Sequence, residues 1–172
     1  MSETSTLARP DSPSLELEAE WMADAIEALT GSAFGPGRMA KTAERLRERN
    51  QPVAALCFAA VMGGRVTGSV RLCPIRIGGQ AALFLGPIVV DPAWRHAGLG
   101  AQLVKQVFAA AFARGETRIL LVGDMPFFGP LGFSVVPGGR VIMPGPVNPG
   151  RLLWAGLVDG ALDGVGGEVV AG

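Results

Sequence analysis

One stretch decides the fold: Leu83-Phe84-Leu85-Gly86-Pro87-Ile88-Val89-Val90, followed by Asp91-Pro92-Ala93-Trp94-Arg95-His96-Ala97-Gly98-Leu99-Gly100. Its first part is a nearly unbroken apolar run, which is typical of a strand covered on both faces. From Leu99 onward, apolar residues recur every four positions to Ala111, as on one face of a helix that ends at Arg114-Gly115. The stretch therefore predicts a central strand, a tight turn and a helix.

Two glycines, Gly98 and Gly100, lie at the predicted start of this helix. Glycine lets the backbone turn tightly and lets a ligand approach the main chain, and the first amides of a helix lack internal partners, so together they form an anion cradle. A nucleoside triphosphate loop is unsupported because Ala101 follows where Gly-Lys-Ser/Thr is needed. The dinucleotide fingerprint fails as well, because Leu103 stands where its third glycine is required.

The pattern that fits is Arg/Gln-x-x-Gly-x-Gly/Ala, which runs from Arg95 to Gly100. A second motif follows: Val122-Gly123-Asp124-Met125-Pro126-Phe127-Phe128-Gly129-Pro130-Leu131-Gly132-Phe133. In this order and separation the two resemble the acetyl-CoA-binding motif and the distal motif of the Gcn5-related N-acetyltransferase (GNAT) superfamily. The resemblance extends from about Leu15 to Phe133.

The resemblance implies an α/β (α+β) GNAT fold. Its mixed, mostly antiparallel sheet has about six or seven strands, splayed between the fourth and fifth, with about four flanking helices. Pro87 suits such a splay, because a proline cannot donate to a strand ladder. Residues 1–13 are expected to form a disordered tail, and residues 14–172 a single acyl-CoA N-acyltransferase domain.

The resemblance also assigns roles to residues. The backbone amide of Val90, or alternatively that of Val89, would polarise the thioester carbonyl, and Val90 is our choice. The residues expected to contact the cofactor acetyl-CoA are Ile88, Val89, Val90, Arg95, His96, Ala97, Gly98, Leu99, Gly100, Ala101 and Phe128. The implied reaction is acetyl transfer to a primary amine of a small or peptidic acceptor, by direct attack in a ternary complex.

Proton transfer is where this sequence departs from the family pattern. The usual general acid is a tyrosine in the distal motif, and this chain contains no tyrosine. Phe127 and Phe128 stand in that neighbourhood, and a phenyl ring has no proton to give. Asp124 is either a base near the substrate or a cap for the next turn, with the cap favoured. Phe34 and Arg38 are substrate candidates, because they border the loop that lines the acceptor pocket in this family.

Composition excludes several classes of protein. The 15 basic and 15 acidic residues balance, so no overall field attracts nucleic acid or an anionic membrane. The sequence shows neither a signal peptide nor a membrane span, which predicts a cytoplasmic protein. Cys57 and Cys73 are interpreted as buried thiols, with no metal site and no disulfide. The resemblance also allows a homodimer.

The remaining segments give weaker expectations. A helix around Met22–Leu29 is expected to break at Thr30-Gly31-Ser32, and a second helix to cover Arg38–Arg49. Gly63-Gly64 and Gly78-Gly79 predict hairpin turns, and a change of apolar phase at Cys73-Pro74 predicts a bulge. Arg140–Met143 and Leu152–Leu157 resemble strands, and residues after Asp159 receive no assignment.

Three functions stay open at this point. The first is an N-acetyltransferase. The second is a catalytically impaired domain that binds an acyl-CoA as a sensor, for which the missing tyrosine is the support. The third is an interaction domain that keeps the fold and has no affinity for the cofactor.

Overall fold

The structure, a computed structural model, describes residues 12–34, 42–43, 46 and 50–172. Within these residues it contains nine strands, β1 to β9 in chain order: Ser14–Leu17, Cys57–Met62, Arg65–Ile77, Gln80–Val90, Arg118–Val122, Ser134–Val135, Val141–Ile142, Leu152–Gly156 and Gly167–Ala171. Seven of them pair in the order β1-β2-β3-β4-β5-β8-β6, antiparallel except for the parallel pair β4-β5. The strand β9 pairs antiparallel with β3 and parallel with β7. The predicted mixed, mostly antiparallel sheet is confirmed.

The same residues contain three α-helices, α1 over Ala23–Phe34, α2 over Leu99–Ala113 and α3 over Met125–Phe128. Residues 42, 43 and 46 are also helical, while most of the second predicted helix lies outside the described residues. The helix α1 continues through the expected break at Thr30-Gly31-Ser32. The Thr30 hydroxyl donates to the Ile26 carbonyl at 2.8 Å, so its polar group is satisfied inside the helix.

The helix α2 packs on one face of the sheet as its periodicity predicts. Leu99, Leu103, Val107 and Ala111 are all at most 1% exposed. They join a core made with residues of β2 to β5 and β8. The helix ends at Ala113, and Gly115 follows with φ +80°, which confirms the predicted glycine stop.

The bulge predicted at Pro74 is wrong. The β3–β4 ladder is continuous through Pro74, which pairs with Leu83. The irregularity lies further along β4, where Gly86 and Pro87 stand opposite Arg71 alone. The apolar phase changes at Cys73 because the sheet is covered on both faces: Leu72 packs towards α2, whereas Cys73, Ile75 and Ile77 pack into the core on the opposite face.

The unassigned C-terminal residues form β9, which pairs with β3 at Ile75 to Ile77 and with β7. Its first residue approaches the β3–β4 turn closely: the Cα of Gly78 is 2.9 Å from a β-carbon built on Gly167. Such an approach requires glycine on both sides. The hairpin turns at Gly63-Gly64 and Gly78-Gly79, the strands β7 and β8, and the burial of both cysteines are as predicted.

Candidate active site

The site begins at an opening between β4 and β5. The two strands pair in parallel only at Leu83–Ile119 and Phe84–Leu120. Beyond Phe84, β4 runs on to Val90 beside β3, while β5 takes a different path. The far half of β4 therefore borders a gap on the side away from β3, and this is the predicted splay.

The hydrogen bonding of β4 shows which amides face this gap. Asp91 N donates to the carbonyl of Thr67 in β3 at 2.8 Å. Because amide directions alternate along a strand, the amide of Val89 also faces β3, whereas those of Ile88 and Val90 point to the other side. Of the two valines, Val90 is the one whose amide faces the gap.

The turn from β4 into α2 is built from local hydrogen bonds. The Asp91 carboxylate accepts from Ala93 N at 3.0 Å and caps a 3-10 helix over Pro92–Ala97. Trp94 in that turn is partly buried and packs against the core that includes the buried face of α2. Gly98 then takes φ +74°, a left-handed conformation that favours glycine, and α2 starts at the next residue.

The start of α2 can receive an anion. The amide of Gln102 is the first to bond within this turn, to the carbonyl of Gly98 at 3.1 Å, so the amides of Leu99, Gly100 and Ala101 precede the helical ladder. No heavy atom lies within 4 Å of a β-carbon built on Gly98, so the space above it is open. Arg95 is exposed just before this turn. Open space, the first amides of a helix and a cation are the features that a phosphate group requires.

The two phenylalanines of the distal motif take different positions. Phe128 is 6% exposed, packs edge-on against Phe133 and fills the space beside Gly123. Phe127 is 41% exposed, and its ring lies beside Gly100 near Val90. The side chain next to the gap is thus Phe127, which sequence reasoning left unassigned, and its exposure could not be read from two adjacent identical residues.

The side chain of Asp124 does not cap α3, although a cap was the favoured interpretation. Its position is the N-cap, but the carboxylate makes no capping hydrogen bond. Oδ1 instead lies 3.3 Å from Nε of Arg151, which leads into β8. Arg151 was not singled out in the sequence, because nothing local connects it with Asp124.

Of the other substrate candidates, Arg38 lies outside the described residues. Phe34 is the last residue of α1. His96, a cofactor candidate, belongs to the 3-10 helix before Gly98.

The described residues bring no three potential metal ligands (His, Cys, Asp or Glu) together. No helix among them is long and apolar enough to cross a membrane.

Comparison with known proteins gives consistent matches over most of the chain. The family model "Acetyltransferase (GNAT) family" matches residues 22–133. The uncharacterized N-acetyltransferase YhbS of Escherichia coli K12 is 28% identical over 149 residues, which cover 86% of this chain and 89% of YhbS.

Solved structures agree with these matches. The crystal structure of E. coli YhbS in complex with CoA has a TM-score of 0.80 at 25% identity, covering 94% of this chain and 90% of that one. A GNAT family acetyltransferase from Brucella melitensis, in complex with acetyl-CoA, has a TM-score of 0.60 at 24% identity, with coverage of 88% and 98%. The similarity to the Brucella melitensis protein shows that the two chains share a fold.

Proposed function

This chain belongs to the acetyltransferase (GNAT) family, and from that premise we propose that residues 14–172 form one domain that transfers an acetyl group from acetyl-CoA to a primary amine. The observation that carries the proposal is the opening between β4 and β5, beside the first turn of α2 and its left-handed Gly98. An extended arm that ends in phosphates fits an opening of this form.

The cradle residues would hold the pyrophosphate. The amides of Leu99, Gly100 and Ala101 supply donors, and the Arg95 guanidinium adds positive charge. Ile88, Val89 and Val90 would form the wall along which the arm lies. The relative YhbS binds CoA in its crystal structure, which supports the same cofactor here.

Bound acetyl-CoA supplies a thioester, a good acetyl donor, and the chain's own groups act on it. The Val90 amide would donate to the carbonyl oxygen and stabilise the negative charge that develops there. The exposed ring of Phe127 would exclude water from the reacting centre. Asp124 is our candidate for accepting a proton from the amine, since its carboxylate is not used as a cap.

One observation favours a second function. The chain has no tyrosine, and Phe127 is the ring nearest the gap, so no phenol is available to protonate the departing thiolate. A domain that binds acyl-CoA as a sensor would need none. Turnover separates the two functions, because a sensor binds the thioester without consuming it.

The test is calorimetric titration with acetyl-CoA of the wild type, Gly98→Glu and Gly98→Asn. Asparagine tolerates the left-handed conformation better than most residues, so it controls for backbone strain. Glutamate brings bulk and negative charge to the phosphate position, and we expect it to weaken binding by at least about a hundredfold, or about 2.7 kcal/mol.

If a folded Gly98→Glu variant binds acetyl-CoA as tightly as the wild type does, the cradle does not receive the phosphates. If the wild type fails to bind acetyl-CoA, both the transferase and the sensor are excluded. If it binds, release of free thiol in the presence of amines decides between them.

A further inference from the structure

A cleft of about 510 Å³ opens at the carboxyl end of β5. One wall is the first turn of α3 and the other is the segment that leads into β8. The lining residues are Asp124, Met125, Pro126, Phe127, Asn148, Gly150 and Arg151. Its volume is sufficient for an amino acid or a short peptide.

The cleft contains one carboxylate and one guanidinium at a fixed separation. Oδ1 of Asp124 and Nε of Arg151 are 3.3 Å apart, and their side chains are 74% and 51% exposed. An ion pair as exposed as this contributes little to folding stability. A ligand can therefore bind to both charged groups with only a small loss of free energy from breaking their ion pair.

The backbone holds these two residues together. Gly123 N, next to Asp124, donates to the carbonyl of Arg151 at 2.9 Å. Asn148 makes a turn before Arg151, accepting from Gly150 N through its side chain and from Arg151 N through its carbonyl. The backbone positions of the two charged residues are thus held by hydrogen bonds next to β5 and β8.

The cleft also has an apolar wall next to the reacting centre. Met125 and Phe127 are 36% and 41% exposed. The edge of the Phe127 ring, at Cζ, lies beside Gly100, as does Cγ2 of Val90. Phe127 therefore lines the cleft and also contacts the first turn of α2, at the end of the gap into which the Val90 amide points.

We infer that this cleft binds the acceptor and that the acceptor is an amine whose carbon skeleton also carries a carboxylate, such as an amino acid or a short peptide. Arg151 binds the carboxylate, Asp124 binds the ammonium group, and Met125 with Phe127 contacts the apolar side chain. This inference rests on the proposed acetyl transfer and adds the class of substrate to it.

In the proposed acetyl transfer, every bond and proton that changes is accounted for by the acceptor, acetyl-CoA, Asp124 and solvent. The acceptor nitrogen forms a bond to the acetyl carbonyl carbon as the bond from that carbon to sulfur breaks. The ammonium group loses two protons: one passes through Asp124 to solvent, and the other ends on the thiol of coenzyme A. The products are the N-acetylated carboxylate, free coenzyme A and one proton.

The test compares acids with their amides. L-leucine, L-methionine and glycyl-L-leucine are each titrated against the corresponding amide by calorimetry, using the protein with and without saturating CoA. We expect at least one acid to bind about tenfold more tightly than its amide. Arg151→Gln should abolish this preference and Arg151→Lys should keep part of it. The matched control Arg114→Gln removes the same charge at the far end of α2 and should keep all of it.

In turnover, Arg151→Gln should raise the KM for the acid at least about tenfold more than it raises the KM for the corresponding amide. The inference is overturned if no acid exceeds its amide, or if Arg151→Gln retains the preference. The binding comparison needs no reaction, so it separates this failure from that of the proposed function, which shows as absence of acetyl-CoA binding or of acetyl transfer.

Discussion

The ring of Phe127 lies against Gly100: a β-carbon built on Gly100 would be 3.2 Å from Cζ of Phe127 and 3.7 Å from Cγ2 of Val90. This contact joins α3, the first turn of α2 and the end of β4 around the gap. It explains why a residue without a side chain stands at position 100, and it places one aromatic ring where the reacting groups would meet.

Enlarging residue 100 should affect cofactor binding more than folding. Gly100→Ala gains helix propensity, up to about 1 kcal/mol, and its β-carbon meets the edge of the 41% exposed Phe127 ring at 3.2 Å, which a shift of a few tenths of an ångström relieves. Its urea midpoint should not fall. Gly100→Leu fills the space beside the exposed amides, and we expect calorimetry to show acetyl-CoA affinity reduced by at least about tenfold. Unchanged affinity in Gly100→Leu would contradict the position of the cradle.

Substituting tyrosine for Phe127 or for Phe128 should show which of the two rings faces the gap. The hydroxyl of Phe127→Tyr is carried by Cζ, the ring atom nearest Gly100, in a half-exposed position. If this ring stands by the departing thiolate, the new acid should raise kcat by about tenfold or more. The gain should appear in the pH profile as a dependence on a protonated group.

Phe128→Tyr is the control for that experiment. Its ring is buried against Phe133, so a hydroxyl there loses water and should destabilise the fold by about 1–3 kcal/mol in urea unfolding. A rise in kcat for Phe128→Tyr and none for Phe127→Tyr would reverse our assignment of the ring that faces the gap.

The contact between Gly78 and the residues before β9 predicts a large difference between two neighbouring glycines. A β-carbon at Gly78 would overlap the carbonyl oxygen of Gly166, whereas one at Gly79 meets no atom within 4 Å. Both have positive φ, +54° and +84°. Gly79→Ala should therefore cost about 1–2 kcal/mol of unfolding free energy, and Gly78→Ala clearly more, measured by urea unfolding. Equal losses would mean that β9 does not pack here.

The Cys57 thiol makes stability sensitive to alkaline pH. Burial, and next the negative charge of Glu18, raises its pKa from the ordinary 9.0 to about 11. The folded state holds this proton more tightly than the unfolded state. The contribution of the protonated Cys57 thiol to the free energy of unfolding is therefore complete below pH 9 and is lost as the pH rises towards 11.

Two pKa units correspond to at most about 2–3 kcal/mol. Urea unfolding at pH 8 and at pH 10.5 should show a loss for the wild type that is smaller in Cys57→Ala. The chain has no tyrosine, so no phenol titrates over this range. Parallel losses in both proteins would show that another group is responsible.

Several features were determined by the sequence alone, because each depends on residues close together in the chain. The apolar run of β4, the four-residue repeat of α2 and the glycines at its start predict a strand, a turn and a helix, as observed. The fold and the family were predicted from the resemblance of two motifs, at residues 95–100 and 122–133, to those of the GNAT superfamily.

Only the tertiary structure decided the features that join distant segments. The bulge at Gly86-Pro87 depends on the register against β3, and β9 forms because β3 offers it an edge. Phe127 differs from Phe128 only in what packs around each ring. Asp124 meets Arg151 because β5 and β8 are neighbours in the sheet. A sequence pattern records spacing along the chain, whereas these contacts depend on which distant backbones lie side by side.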